Sequence, residues 1–103
     1  MSSNYKPTVL ETINRTQRQL IIHSIIYYEF DDNIWSDFQY DDTSKKMVEL
    51  MKSKQFPKST FYEDFKTFDG STGYHLGKKY VSIYGHTAAR LLKYHSTLTS
   101  NLN

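Results

Sequence analysis

Residues 20–51 read LIIHSIIYYEFDDNIWSDFQYDDTSKKMVELM, and they contain the strongest fold signal in the chain. Apolar residues recur at a helical period up to Phe30, turn-forming residues follow at 31–33, and a helical pattern resumes after Ser36. Two helices joined by so short a connection pack against each other in opposite directions. The stretch therefore predicts an antiparallel helical hairpin.

Capping signals set the predicted bounds of this hairpin. A Thr-X-X-Glu capping box at Thr8 opens the first helix, which we expect over about residues 8–30. A second box at Ser36 opens the second helix, expected over about residues 36–54. The Phe-Pro pair that follows ends it, because the residue before a proline disfavours helical backbone.

The second half of the chain predicts two further helices. A short third helix is expected within 59–68, where Thr60 begins another capping-box pattern, and a loop containing two glycines follows at 69–73. Residues 80–84 alternate as a strand would, but the apolar period across them favours a helix, interrupted at Gly85. The predicted fold class is therefore all-α, with the hairpin covered by a short third helix and a C-terminal helix.

The chain is expected to form one helical domain over residues 8–95, with a flexible N-terminus at 1–7 and a frayed C-terminus at 96–103. The periodic apolar residues predict its core: Ile13, Leu20, Ile21, Ile25, Tyr40, Met47, Leu50, Phe65, Val81, Tyr84, Leu91 and Leu92.

Composition excludes several classes of function. The chain has 103 residues and no cysteine, so it has no disulfide framework, thiol nucleophile or cysteine-ligated zinc. Its longest apolar stretch, 20–28, is far shorter than the roughly 20 residues that a membrane helix needs. The first seven residues contain no apolar stretch typical of a secretory signal. We expect a cytoplasmic protein without a membrane partner, located in the host cytoplasm if a phage encodes it.

Charge is distributed unevenly along the chain. Residues 29–42 hold six carboxylates and no Lys or Arg, whereas the rest holds 13 basic and five acidic side chains. These basic side chains suggest DNA binding, which is the weakest of three functional interpretations. The alternative is that they only keep the surface solvated. The side chains concerned are Lys45, Lys46, Lys52, Lys54, Lys58, Lys66, Lys78, Lys79, Arg90 and Lys93.

Motifs for metal binding and catalysis are incomplete. A calcium loop starting at Asp31 lacks the glycine and the final glutamate that such loops need. The four histidines lack metal-ligand spacing, and His23, on an apolar helix face, is interpreted as a hydrogen-bonded, partly buried ring. Residues 66–70 approach the Lys-X-Asp-Gly motif of nucleotidyltransferases, but Lys66 lies one residue too far from the aspartate. We expect no metal site and no catalytic residue.

Residues 27–41 contain the most specific pattern in the chain. They read YYEFDDNIWSDFQYD. This run resembles, without a gap, the Tyr-His-X-X-Asp-X-Pro-X-X-X-Asp-X-Glu-Tyr-Asp signature of the N-terminal helical (Ia) domain of bacterial NAD-dependent DNA ligases. The resemblance extends to the flanking helices, over about residues 20–51. The chain departs from the signature at Tyr28 for His, at Asn33 for Pro and at Gln39 for Glu.

The resemblance implies a binding function for the bend of the hairpin. In the ligase family this domain recognises the nicotinamide mononucleotide (NMN) half of NAD. Matched by position, the implied ligand-binding residues are Tyr27, Asp31, Asp37, Tyr40 and Asp41, with Asp31 at the turn. An oxidised nicotinamide ring is a flat cation, so tyrosine faces and carboxylates suit it.

The implied protein is a small module that is not an enzyme and requires no cofactor, with NMN or NAD as its ligand. Ligation would need a domain with an adenylated lysine, for which the chain is too short. The later run FDGSTG at 68–73 is similar to small ligase-related proteins of phages and prophages. A ligase-like fold whose nucleotide site has decayed fits the same residues, because fold does not entail function.

The second interpretation is a phage-type interaction or inhibitor protein that docks on a host or phage partner. Ile34, Trp35 and Phe38 lie within the acidic stretch. Exposed aromatics within an acidic rim resemble an interaction hot spot.

Overall fold

The computed structural model describes residues 6–101, with side chains described as far as Leu98. Most of the segment predicted to be flexible (1–7) and the last two residues of the predicted frayed end lie outside this range. The described residues contain no strand, which confirms the all-α prediction. The elements are α1 (Val9–Ser24), a π-helical turn (Ile25–Glu29), α2 (Asp37–Leu50), a 3₁₀ turn (Phe56–Lys58), α3 (Tyr62–Phe65) and α4 (Tyr74–Asn101).

The first helix begins at its predicted cap. The Thr8 hydroxyl accepts from the Glu11 N–H at 3.1 Å, and the Glu11 carboxylate accepts from the Thr8 N–H at 2.9 Å. The helix widens at its end into the π turn, where the Phe30 N–H donates to the Ile25 carbonyl. Asp31 then adopts a left-handed backbone with φ of 53°, which reverses the chain. The sequence predicted the extent of this segment but not its π geometry.

The second helix is capped as predicted but ends earlier. The Ser36 hydroxyl accepts from the Gln39 N–H at 3.1 Å, and Gln39 Oε1 accepts from the Ser36 N–H. The helix ends at Leu50 rather than at 54, because the N–H groups of Lys52 and Ser53 donate three residues back, as in a 3₁₀ turn. These bonds turn the chain so that the side chain of Phe56 enters the core.

Side chains at both ends of the hairpin show that α1 and α2 run antiparallel. Ser24, at the end of α1, meets Tyr40, in the first turns of α2, at 2.6 Å between hydroxyl oxygens. At the other end, Thr12 of α1 shares a cleft with Lys46 and Leu50 of α2.

The predicted third helix is much shorter than expected. Only four residues, Tyr62–Phe65, are α-helical, and the capping box at Thr60 does not form. The Thr60 N–H instead bonds to Asn14 Oδ1 at 2.9 Å. Gln17, the polar interruption in the apolar period of α1, is fully buried: it donates to Ser59 Oγ and accepts from the Phe61 N–H. These long-range bonds to α1 take the place of the local cap.

The last helix is continuous. Residues 80–84 are helical, as favoured, but the predicted interruption at Gly85 is absent, and the backbone stays helical through Asn101, past the predicted end at 95. The helix packs antiparallel to α1, with Gly77 beside Ser24 and Leu91 beside Arg15. None of the described helices has the length and apolar character needed to span a membrane.

The core lies between α1, α4 and the aromatic segment that joins α2 to α4. Of the predicted core residues, six are buried: Ile13, Leu20, Ile21, Ile25, Met47 and Phe65. Five others are partly buried at its edge: Tyr40, Leu50, Val81, Tyr84 and Leu92. The prediction was wrong for Leu91, which is 38% exposed. The core also includes residues that the sequence analysis did not assign to it: Ile26, Phe56, Phe61, Phe68, Leu76 and Ala88.

Candidate functional site at the hairpin bend

A hollow of about 440 Å³ opens at the bend of the hairpin. Four of the five residues matched to the ligase signature line it, namely Tyr27, Asp37, Tyr40 and Asp41. The fifth, Asp31, lies outside the hollow in its left-handed conformation, so its placement differs from the expected binding role. The bend therefore brings together residues from the end of α1 and the start of α2 around one space.

The three residues proposed for a protein partner line the same hollow. Ile34 and Trp35 are half-buried, whereas the phenyl ring of Phe38 is 77% exposed. The sequence analysis treated the ligand surface and the partner surface as separate alternatives. The structure makes them one site.

His23 and Trp35 form one wall of the hollow. Their rings stack in parallel, with centroids 3.6 Å apart and an angle of 9°. Burial lowers the pKa of His23 to about 4, so the imidazole is neutral at physiological pH. His23 is only 8% exposed, and its described contact is this stack rather than the expected hydrogen bond. A neutral ring here adds no positive charge next to the carboxylates of the site.

Tyr40 is held in place by the contacts of its hydroxyl group. Its hydroxyl shares the 2.6 Å hydrogen bond with Ser24. Burial raises the pKa of Tyr40, and the bond with Ser24 opposes that shift. The chain just before α4 passes close to both hydroxyls, because a Cβ atom at Gly73 would lie 2.1 Å from the Tyr40 oxygen and 2.3 Å from Ser24 Oγ. Only a glycine allows this packing.

Tyr27 faces Tyr40 across the hollow. Their ring centroids are 6.5 Å apart and their planes are inclined by 35°. Tyr27 is 46% exposed, so its ring has room to move, whereas the hydroxyl of Tyr40 is held by Ser24. The pair combines one fixed aromatic surface with one adjustable surface.

The loop before α4 completes the site, and the sequence analysis did not assign it there. Gly70 and Ser71 line the hollow, and Gly70 requires its glycine for a φ of 85°. The Ser71 hydroxyl donates to the Asp69 carboxylate at 2.6 Å, which together with the Ser71 N–H lowers the pKa of Asp69. The sequence signal in this loop was the FDGSTG run. It resembles small ligase-related proteins, but that resemblance assigned none of its residues to the site.

Tyr28 joins that loop to the bend. Its hydroxyl lies 3.0 Å from Thr72 Oγ1, and its ring packs edge-on against Tyr27 and Tyr74. Tyr28 also lines the hollow. At the position where the ligase signature has histidine, this chain therefore has a phenol that contacts the loop.

The two carboxylates of the hollow differ in their surroundings. Asp41 forms an exposed ion pair with Lys45 at 3.2 Å, one turn further along α2. Asp37 is exposed, and its carboxylate has neither a hydrogen bond nor an ion pair with any residue in the described range. Asp37 is consequently the carboxylate available to an incoming cation or hydroxyl group.

Several of the lysines considered for DNA binding are paired with carboxylates. Ion pairs within the described residues involve Lys45, Lys46, Lys52, Lys66 and Lys79. Lys66, the lysine of the near-motif for nucleotidyl transfer, contacts Glu63 at 2.6 Å, and this bond raises its pKa. It does not line the hollow.

No group of three or more His, Cys, Asp or Glu side chains within the described part of the chain is arranged to hold a metal ion. The bend places aromatic rings and carboxylates around one open space. No family model matches the chain, and neither does any curated protein or solved structure.

Proposed function

We propose that the hollow binds a nicotinamide nucleotide, either NMN or the NMN half of NAD, and that the protein is a non-catalytic binding module. The observation that carries this proposal is the presence of Tyr27, Tyr40 and Asp37 around one hollow. The resemblance of residues 27–41 to the ligase signature supplies the identity of the ligand.

The size of the hollow agrees with a nucleotide-sized ligand. Small-molecule sites typically enclose about 300–1,000 Å³, and the hollow encloses about 440 Å³. A planar ring between two others needs about 3.5 Å on each face, hence about 7 Å between the outer rings. The ring centroids of Tyr27 and Tyr40 are 6.5 Å apart and their planes are inclined by 35°, so the exposed ring of Tyr27 would have to turn and move slightly outward to enclose a planar ring.

Electrostatics favour the oxidised form of the ligand. A pyridinium ring carries a positive charge that both tyrosine faces and the unpaired Asp37 carboxylate attract. The neighbouring His23 is uncharged, so it does not repel the cation. We therefore expect NMN to bind more tightly than its reduced form, whose dihydropyridine ring carries no charge.

Calorimetric titration tests the proposal. Tyr27→Ala removes one stacking surface and is expected to weaken NMN binding about tenfold, since aromatic pairs contribute about 0.5–1.5 kcal/mol beyond the area they bury. Asp37→Asn is expected to weaken it about two- to fivefold, the range typical of an exposed charge pair. Asp42→Asn is the matched control, because Asp42 pairs with Lys46 and does not line the hollow.

Two outcomes would contradict the proposal. The first is the absence of both heat and chemical-shift changes with NMN at millimolar concentration. The second is binding that survives both Tyr27→Ala and Asp37→Asn, since the ligand would then occupy another site.

A protein partner is the second candidate, and the exposure of Phe38 favours it. A phenyl ring that is 77% exposed next to the half-buried Trp35 is typical of an anchor that a partner covers. Under this alternative, affinity capture from a cell lysate should recover a protein that binds the wild type and Phe38→Leu but does not bind Phe38→Asp. A partner retained by Phe38→Asp would exclude this surface.

A further inference from the structure

A second face of the molecule, remote from the acidic bend in sequence, has no described partner. Apolar side chains on one side of α4 remain in solvent: Ile83 is 63% exposed, Tyr94 61% and Leu98 47%. Together with Leu91 they follow helical spacing, so they form one stripe about 22 Å long from Ile83 to Leu98. Most large apolar residues on the surface of a small protein are scattered, so four of them along one helix face indicate an interaction surface.

A groove of about 410 Å³ between α1 and α4 adjoins this stripe. Its apolar lining includes Ile22, Tyr84 and Leu91, and Leu91 belongs to both the groove and the stripe. This explains why Leu91, expected in the core from its period, remains 38% exposed. The groove and the stripe together form a long shallow channel, the shape that an amphipathic helix occupies.

Charge identifies what this surface would accept. Arg15 and Arg18 of α1 line the groove, which has no acidic lining residue. Neither these arginines nor Arg90 and Lys93 of α4 form an ion pair with any described residue. A partner that brings carboxylates to this face would therefore gain charge complementarity.

A second copy of the chain is a poor occupant. Symmetric pairing along the stripe would place Arg90, near its middle, against Arg90 of the other copy. Like charges opposite each other in an interface disfavour association.

We propose that this face of α1 and α4 is a docking surface for an amphipathic helix of a partner protein, with Asp and Glu flanking its apolar side chains. The apolar side chains would lie in the groove and on the stripe, and the carboxylates would meet Arg15, Arg18, Arg90 and Lys93. The groove shares His23 with the wall of the proposed nucleotide hollow, but none of the charged residues tested here lines that hollow, so the test does not depend on that function.

Synthetic peptides test the proposal. One is an 18-residue amphipathic helix with leucines at helical spacing and flanking glutamates, and the other has lysine in place of each glutamate. We expect the acidic peptide to bind at least tenfold more tightly in fluorescence anisotropy, with affinity that falls as salt rises. Arg15→Glu/Arg18→Glu should reverse that preference.

The controls separate charge on this face from charge in general. Lys54→Glu/Lys58→Glu changes the net charge by the same amount at exposed residues outside the groove, and it should preserve the preference for the acidic peptide. Arg90→Glu/Lys93→Glu provides a second reversal on α4 in case the α1 variant does not fold, which circular dichroism would show.

Three results would overturn the proposal. Equal binding of both peptides, or an unchanged preference after charge reversal on a folded variant, would remove the role of the cations. Self-association in sedimentation that Leu91→Glu abolishes would assign the face to a second copy. Binding of decanoate in the groove without binding of the acidic peptide would assign it to a small amphiphile.

Discussion

Replacing Gly73 by alanine perturbs fold and site together. The added Cβ would lie 2.1 Å from the Tyr40 hydroxyl and 2.3 Å from Ser24 Oγ, far inside van der Waals contact. Both hydroxyls belong to one hydrogen bond that joins α1 to α2. The bond must break or α4 must move away, and either change shifts the ring of Tyr40 relative to the hollow.

The expected loss of stability follows from these contacts. Losing a hydrogen bond costs about 0.5–1.5 kcal/mol, and overpacking a well-filled interior costs about 1–3 kcal/mol. The lower entropy of the unfolded chain with alanine returns about 0.4–1 kcal/mol. Gly73→Ala should therefore lower the free energy of unfolding by about 2–3 kcal/mol, which corresponds to about 10–20 °C in Tm for a domain of this size.

Urea and thermal denaturation measure this change, with Gly85→Ala as the matched control. A Cβ at Gly85 would meet Val81 Cγ2 at 3.6 Å, an ordinary contact inside α4. Alanine is favoured over glycine in a helix interior by about 0.5–1 kcal/mol, so Gly85→Ala should stabilise the protein. If the free energy of unfolding of Gly73→Ala lies within 0.5 kcal/mol of the wild-type value, the chain before α4 does not pack as closely on Tyr40 as described.

Two further predictions concern buried polar groups of α1. Burial lowers the pKa of His23 to about 4 in the folded state, so as pH falls below about 6.5 this imidazole is protonated in the unfolded chain first. The free energy of unfolding should therefore fall by about 2–3 kcal/mol between pH 6.5 and 4. His23→Phe keeps a ring against Trp35 and should flatten this pH dependence in urea denaturation at pH 7 and 4.5. If the variant and the wild type lose the same unfolding free energy between these pH values, another group is responsible. Gln17→Leu leaves the buried Phe61 N–H without its acceptor and should lower the free energy of unfolding by about 1–3 kcal/mol. A thermal transition unchanged by Gln17→Leu would show that another group satisfies that N–H.

Local signals in the sequence were enough to predict the hairpin. The capping boxes at Thr8 and Ser36 each depend on residues three apart, and both form with the expected bonds. The matching box at Thr60 fails because Asn14, far away in sequence, takes the N–H that a local cap would use. The same motif thus predicts structure only where no tertiary contact competes for its backbone groups.

Part of the site was also predictable, because it depends on residues that are close together in sequence. Tyr27 and Tyr40 flank a short bend, so any antiparallel hairpin brings them near each other. The contribution of Gly70 and Ser71 depends instead on how closely α4 packs on the hairpin, and a single sequence gives no direct measure of that distance. Asp31 departs from its expected role because its own backbone forms the reversal.

The exposed stripe on α4 shows a limit of periodicity. Leu91 and Tyr84 continue the same apolar period and both line the groove, but Tyr84 is partly buried against Phe61 whereas Leu91 is 38% exposed. A helical period indicates which residues share a face, and it does not indicate whether a neighbouring element covers that face along its full length.

The π turn makes the geometry of the bend sensitive to chain length. Its wide turn accommodates one more residue than an α-helical turn between Ile25 and Glu29. Deleting one residue there would let regular α-helical bonding run through the segment, and because the wide turn absorbs that one residue, α2 would keep nearly its present orientation. Tyr27 and Tyr28 lie inside the turn, so such a deletion would shift their rings relative to Tyr40 while leaving the rest of the hairpin in place.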